Sequence, residues 1–155
     1  MLISRKIDLS MYYYLDDLLP SLVNVYDGYP VDKDGRPSGD LTLPAVAVER
    51  QPIILRPFEL AGKRLAHYFY VIDIYGLTKA QRDDIAYTIQ DDLDNNNVKV
   101  YDYDEGFPPS VSPSHIGTLV IDTDIRNTVV YVFPELSPTE YWRAVVDFAG
   151  YYSAI

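Results

Sequence analysis

Five aspartates give this 155-residue chain its clearest chemical possibility. Asp73, Asp102, Asp104, Asp122 and Asp124 all stand in or beside runs of strand-forming residues. Carboxylates converging from neighbouring strands can hold two divalent cations roughly 4 Å apart and activate water against a phosphodiester. A metal-dependent nuclease is therefore the enzymatic reading, and two features oppose it. No Glu is followed two residues later by Lys, so a strand-borne E-x-K element is absent. A nuclease also holds its anionic substrate with a basic surface, whereas this chain has 23 acids against 13 bases, a formal charge of −10. The bland alternative places these aspartates at strand ends and turns.

Other reactive side chains are sparse. Histidine occurs twice, at 67 and 115, and a lone histidine in a strand is more often structural than catalytic. The absence of cysteine excludes disulfides, thiolate metal sites and thiol nucleophiles. No dinucleotide-binding glycine loop, Walker loop, G-x-S-x-G elbow or H-E-x-x-H pair is present. Asp32, Asp34 and Asp40 sit in VDKDGRPSGD, but position twelve from Asp32 is Leu43 instead of the Glu of a calcium loop. The expectation is a chain with no cofactor, no metal and no enzymatic activity.

The elements that carry these residues read as one α+β domain over 1–155: a mixed, mainly antiparallel sheet, one principal helix packed on it, and a short N-terminal helix. DLSMYYYLDDLL (8–19) suits that short helix, with Asp8 as N-cap, Pro20 as stop, and Leu9, Tyr12, Tyr13 and Leu19 on one side. LVNVYDGYP is a brief strand, and 31–40 a loop. LPAVAVERQPIIL (43–55) is extended, with Pro44 and Pro52 pushing it toward a sheet edge or a break. RPFELAGKR (56–64) reads as a loop. It concentrates Arg56, Lys63 and Arg64, a local excess of positive charge, with Glu59, and it places two large apolar residues, Phe58 and Leu60, where a partner can meet them.

HYFYVIDIYG (67–76) is a strand whose better core face is Tyr68, Tyr70, Ile72 and Ile74. Its other face mixes aromatics with Asp73, opposite Arg143 or a neighbouring subunit's cation. Thr78 and Gln81 form a capping box for a helix over 78–94, with Ile85, Ala86, Ile89 and Leu93 inward and Arg82 outward. Asp91, Asp92 and Asp94 oppose the macrodipole at its end, and Asn95 to Asn97 suit a left-handed stop. Val98 to Asp104 form the next strand, and two more flank a turn at Asp124 to Asn127. Ser137-Pro-Thr-Glu140 could start a helix, but YWRAVVDFAGYY alternates, and its aromatic and β-branched residues favour a strand.

Tyrosine, 15 residues, fits either a tyrosine-rich sheet or surfaces for protein contact. The acidic balance argues against tight DNA binding, which needs clustered Lys and Arg. The longest run without Asp, Glu, Lys or Arg is Gly106 to Ile121 and holds three prolines, so no membrane span is expected. The N-terminus lacks a signal-peptide pattern, and a soluble chain made in a cytoplasm is expected.

From Asn24 to Tyr103, about half of the chain, the order of segments is distinctive. VYDGYP, LPAVAVE, PFELAGKR and YFYVIDIYG are followed by a capped helix with an acid-rich end and then VKVYDYDEGFPP. This order resembles the tail-completion and tail-terminator proteins of tailed bacteriophages, and YWRAVVDFAGYY resembles their last strand. The resemblance implies a small α/β domain that assembles as a homo-oligomeric ring, commonly a hexamer. The ring caps the tail tube, meets the head-side connector and catalyses nothing. Its location would be the virion neck, after assembly in the host cytoplasm, and DNA would pass through it without specific binding. Six copies would carry a formal charge of about −60, which repels phosphate in the lumen. Arg56, Phe58, Glu59, Leu60, Lys63, Arg64, Asp73, Tyr75 and Asp147 are the candidate interface residues. Head-closure and other head-side neck proteins are the nearest alternative. A nuclease or an unrelated binding domain is the remoter one.

Overall fold

A computed structural model describes residues 1–29, 41–51, 54–58, 63–130 and 142–155, of which 54–58 and 63–65 are described by backbone course alone. In chain order the elements are α1 (Ile3–Leu18), β1 (Asn24–Asp27), β2 (Ala45–Arg50), β3 (Ile54–Phe58), β4 (Lys63–Gly76), α2 (Lys79–Asn95), β5 (Val98–Tyr101), β6 (His115–Ile121), β7 (Arg126–Val129) and β8 (Trp142–Ala154). The architecture is α+β. The sheet runs β1-β2-β4-β8-β6-β5, with β3 also paired to β4 and β7 to β8. Only β1 and β2 run parallel; the other pairings are antiparallel.

Two long strands form the axis. β4 and β8 pair without interruption from His67–Tyr151 to Gly76–Trp142. Each then serves two shorter strands along its outer side. β2 pairs with Tyr70–Tyr75 of β4, and β3 with Lys63–His67. On the far side β7 pairs with Ala144–Asp147 of β8, and β6 with Gly150–Ala154.

Alternation decides which face is buried. Tyr68, Tyr70, Ile72 and Ile74 of β4 and Ala144, Val146 and Phe148 of β8 point to one side and are buried. Ile7, Met11 and Leu15 of α1, spaced four apart, and Ile85, Ala86, Ile89 and Leu93 of α2 pack onto that side. The Tyr70 and Phe148 rings stack at 5.8 Å between centroids, in the middle of this layer.

Several expectations meet corrections. α1 begins at Ile3 with Leu2 as N-cap and no side-chain cap, so Asp8 lies within the helix and does not start it. The apolar stripe through Ile7 draws the earlier residues into the same helix. Leu9 is buried as expected, but Tyr13 is exposed. β2 lies between β1 and β4 instead of at an edge, with Pro44 just before it. Within the supposed 56–64 loop, 56–58 and 63–64 are paired strand, with Arg56 opposite Leu65, Pro57 opposite Arg64 and Phe58 opposite Lys63. Among the described residues β3 pairs only with β4, and an edge strand tolerates Pro57, a residue without an N–H.

Arg82 is buried, not outward; its guanidinium stands 5.9 Å from the Trp142 ring centroid and its Nε donates to Asp83 at 2.9 Å. α2 ends in extended backbone at Asn96, not in a left-handed residue. β5 stops at Tyr101. Beyond it Asp102 Oδ1 accepts from the Asp104 N–H at 3.0 Å and Gly106 takes φ 113°, so the chain turns. The capping box forms: the Gln81 N–H donates to Thr78 Oγ1 at 3.2 Å, and Gln81 Oε1 accepts from the Leu77 N–H at 2.8 Å. Residues 142–154 are a strand. The calcium candidates Asp32, Asp34 and Asp40, and the Ser137–Glu140 motif, lie outside the described residues.

Glycine is required where β8 passes β6. A methyl on Gly150 would drive into the Val120 carbonyl oxygen, which is backbone and cannot swing aside. Gly150→Ala is expected to lower unfolding free energy by about 2–3 kcal/mol, measured by urea denaturation.

Candidate functional site

The face of the sheet turned away from the helices holds the residues that alternation leaves outside the core. Phe69, Val71 and Asp73 of β4 and Arg143, Val145, Asp147 and Tyr151 of β8 are half-buried there. Leu41, Ala45 and Tyr75, with Tyr26, Tyr29 and Leu43 packed against them, cover the β1–β2 end of this face.

Four charges on this face are paired across strands. Asp73 stands opposite Val145, and Arg143 opposite Tyr75, so Asp73 and Arg143 are diagonal neighbours. Arg143 Nη2 donates to Asp73 Oδ1 at 2.6 Å and Nε to the same oxygen at 3.2 Å. The guanidinium also lies 5.5 Å from the Tyr75 ring centroid. Tyr75 is itself buried, so it supports the pair from beneath and offers little surface. One strand over, Arg126 is directly opposite Asp147 and its Nε donates to Asp147 Oδ1 at 2.9 Å. The Arg126 side chain is 70% exposed and that of Asp147 only 20%.

The five aspartates of the nuclease reading go to different places. Asp73 takes Arg143. Asp122 reaches across β8, above the small buried Ala149, to His67, whose Nε2 lies 2.7 and 2.9 Å from its two oxygens. His67 is buried and its Nδ1 has no hydrogen-bond partner. Lys6 Nζ stands 3.0 Å from both Asp102 and Asp104, and the Met1 amine 2.9 Å from Asp104. The amine first, and Lys6 next, hold the Asp104 carboxyl down to about 2. Asp124 lines a groove of about 1090 Å³ with Asp84, Asp91, Asp92 and Asp94. Among the described residues no three histidine or carboxylate side chains cluster as metal ligands.

Two further contacts tie the helices to the sheet. Asp8 accepts from Arg50 Nε at 2.8 Å and from the Tyr70 hydroxyl at 2.7 Å. The Tyr14 hydroxyl donates to Asp92, which answers within the chain one of the acids expected to conflict with the α2 dipole. Burial, reinforced by these carboxylates, pushes both phenols well above their ordinary range.

Of the sequence-derived interface residues, Asp73, Tyr75 and Asp147 lie on the open face around one ladder. Arg56 and Phe58 fall in β3 and Lys63 and Arg64 in β4, at the far end of the same strand; Glu59 and Leu60 lie outside the described residues. The sequence reading did not single out Arg126 or Val71. The period-two pattern of 142–154 carried the signal for one face, but Arg126 emerges only once β7 is registered on β8. Comparison with protein-family models and with curated proteins returns no match. Among the described residues no helix is long and apolar enough to cross a membrane.

A double-mutant cycle with Asp73→Ala and Arg143→Ala is expected to give a coupling energy of about 1 kcal/mol, read from urea unfolding. Tyr14 and Tyr70 keep their protons in the fold, while free tyrosine ionises near 10. Their stabilisation is therefore complete below pH 10 and falls as pH rises above it. In a pH series of melting temperatures Tyr70→Phe should flatten this alkaline decline, because it removes one of the two phenols.

Proposed function

We propose that this chain is a structural virion protein: a ring-forming tail terminator or tail-completion protein that caps the tail tube and joins it to the head connector. The observation that carries the reading is the order of segments between Asn24 and Tyr103, each of which is a consecutive structural unit. The small-residue run is β2, the F-E-L-A-G-K-R run joins β3 to β4, the aromatic run is β4, and the capped acidic helix is α2. Asp73 is engaged by Arg143, Asp102 and Asp104 by Lys6, and Asp122 by His67, so these carboxylates do not converge on one site, which also favours a structural role. DNA passes a net acidic ring without being gripped.

The β3–β4 hairpin is the docking element for the tube or a neighbouring subunit, through Arg56, Phe58, Glu59, Leu60, Lys63 and Arg64. The experiment is mass in solution together with electron microscopy, alone and with tail tubes. Rings, or decoration of tube ends, are expected; a chain that stays monomeric under both conditions sinks the proposal. Replacing Phe58 and Leu60 with Ser should leave the melting transition in place and weaken assembly, and undiminished assembly would remove the hairpin from the contact.

A further inference from the structure

The negative charge is unevenly distributed. α2 carries two bases and five acids, α1 two bases and three acids, and residues 102–105 three acids and no base. On the opposite side of the sheet, Asp73 with Arg143 and Asp147 with Arg126 cancel one another, and the exposed Glu49, directly opposite Val71, adds one acid. Between these pairs Phe69, Val71 and Val145 remain half-buried, and among the described residues no helix lies over them.

Two copies of a chain with a charge of −10 repel each other through most of their surfaces. Approach through the helix layers brings acids against acids. Approach through the less acidic sheet face weakens that repulsion and takes apolar side chains out of water. Four of its charges are already matched in place, so covering them is less costly than covering isolated ions. We propose that a second copy of this chain docks on this sheet face, over Phe69, Val71 and Val145, with Arg126 offsetting the charge of Asp147 at the contact. The proposal rests on the self-assembly reading above and names one of the two unlike surfaces that a head-to-tail ring requires.

The test uses the full chain and follows assembly against concentration by sedimentation velocity. Arg126→Glu leaves two further unbalanced negative charges on the face, and the exposure of Arg126 lets the fold accept the change. The concentration for half-assembly should rise about tenfold at low salt, and the gap should shrink at high salt as the repulsion is screened. The double variant Arg126→Glu with Asp147→Arg restores the pair and should restore assembly. Val145→Asp, charging the face at its centre, should weaken assembly without rescue by the swap. Melting temperatures establish that each variant is folded. If the wild type assembles and folded Arg126→Glu and Val145→Asp assemble equally well, this docking face is wrong while the ring reading stands. If the wild type assembles neither alone nor on tail tubes, the ring reading falls and the docking face with it.

Discussion

The pairing of β4 with β8 is the constraint on which the rest of the molecule depends. It is the longest ladder, and both of its outer sides carry two further strands. Its register is fixed from two directions. Tyr70 stacks on Phe148, and Ile72 and Val146 face each other under the helices. On the other side Asp73 and Asp147 take cations from neighbouring strands. A one-residue slip of either strand would turn a carboxylate into the apolar layer and bring isoleucine or valine to the outside. The small residues Ala144, Ala149 and Gly150 serve the same ladder by leaving room for what crosses β8. Above Ala149, for example, Asp122 can reach His67.

The helices are then placed by apolar stripes and tied at a few polar points. Asp8 illustrates the division of labour. A carboxylate in the middle of a helix gains nothing from capping, but here it faces Arg50 and the Tyr70 hydroxyl, so it joins α1 to β2 and β4 at once. Ser10 does similar work toward β5: its hydroxyl donates to the Lys6 carbonyl at 2.7 Å and accepts from the Tyr101 N–H at 3.0 Å. Gly76 lets the first turn of α2 sit directly on the end of β4, since a side chain there would meet the Arg82 backbone. Ser10 and Tyr70 are buried with partners, the condition under which polar atoms are tolerated in a core.

Properties that depend on local period were legible in the sequence. The inward face of 67–76, the Thr78 cap and the alternation of the last segment follow from side-chain spacing and hydroxyl chemistry within a few residues. The Asp73–Arg143 contact was also within reach, because both residues sit on the non-core faces of strongly alternating strands. What local period cannot supply is the partner of a strand. Residues 56–58 and 63–64 looked like part of a loop because their charged, mixed composition shows no strand period, and only the register against each other makes them strand. Arg82 looked solvent-facing because its position on the helix is polar by type, and only the arrival of Trp142 from the far end of the chain gives its guanidinium a ring to lie against. Arg126 needed the register of β7 before it had any role.

The fate of the tyrosines bears on function in the same way. Their abundance suggested either a tyrosine-rich sheet or a contact surface. Tyr68, Tyr70, Tyr75 and Tyr103 are buried, and Tyr14 and Tyr70 spend their hydroxyls on carboxylates inside the chain. Much of the tyrosine content therefore builds the fold and is not evidence for a partner. That moves the argument for a partner onto charge. A molecule this acidic meets itself most readily where its charge is cancelled, and on the described surface the broadest cancellation lies on the face that the helices leave uncovered.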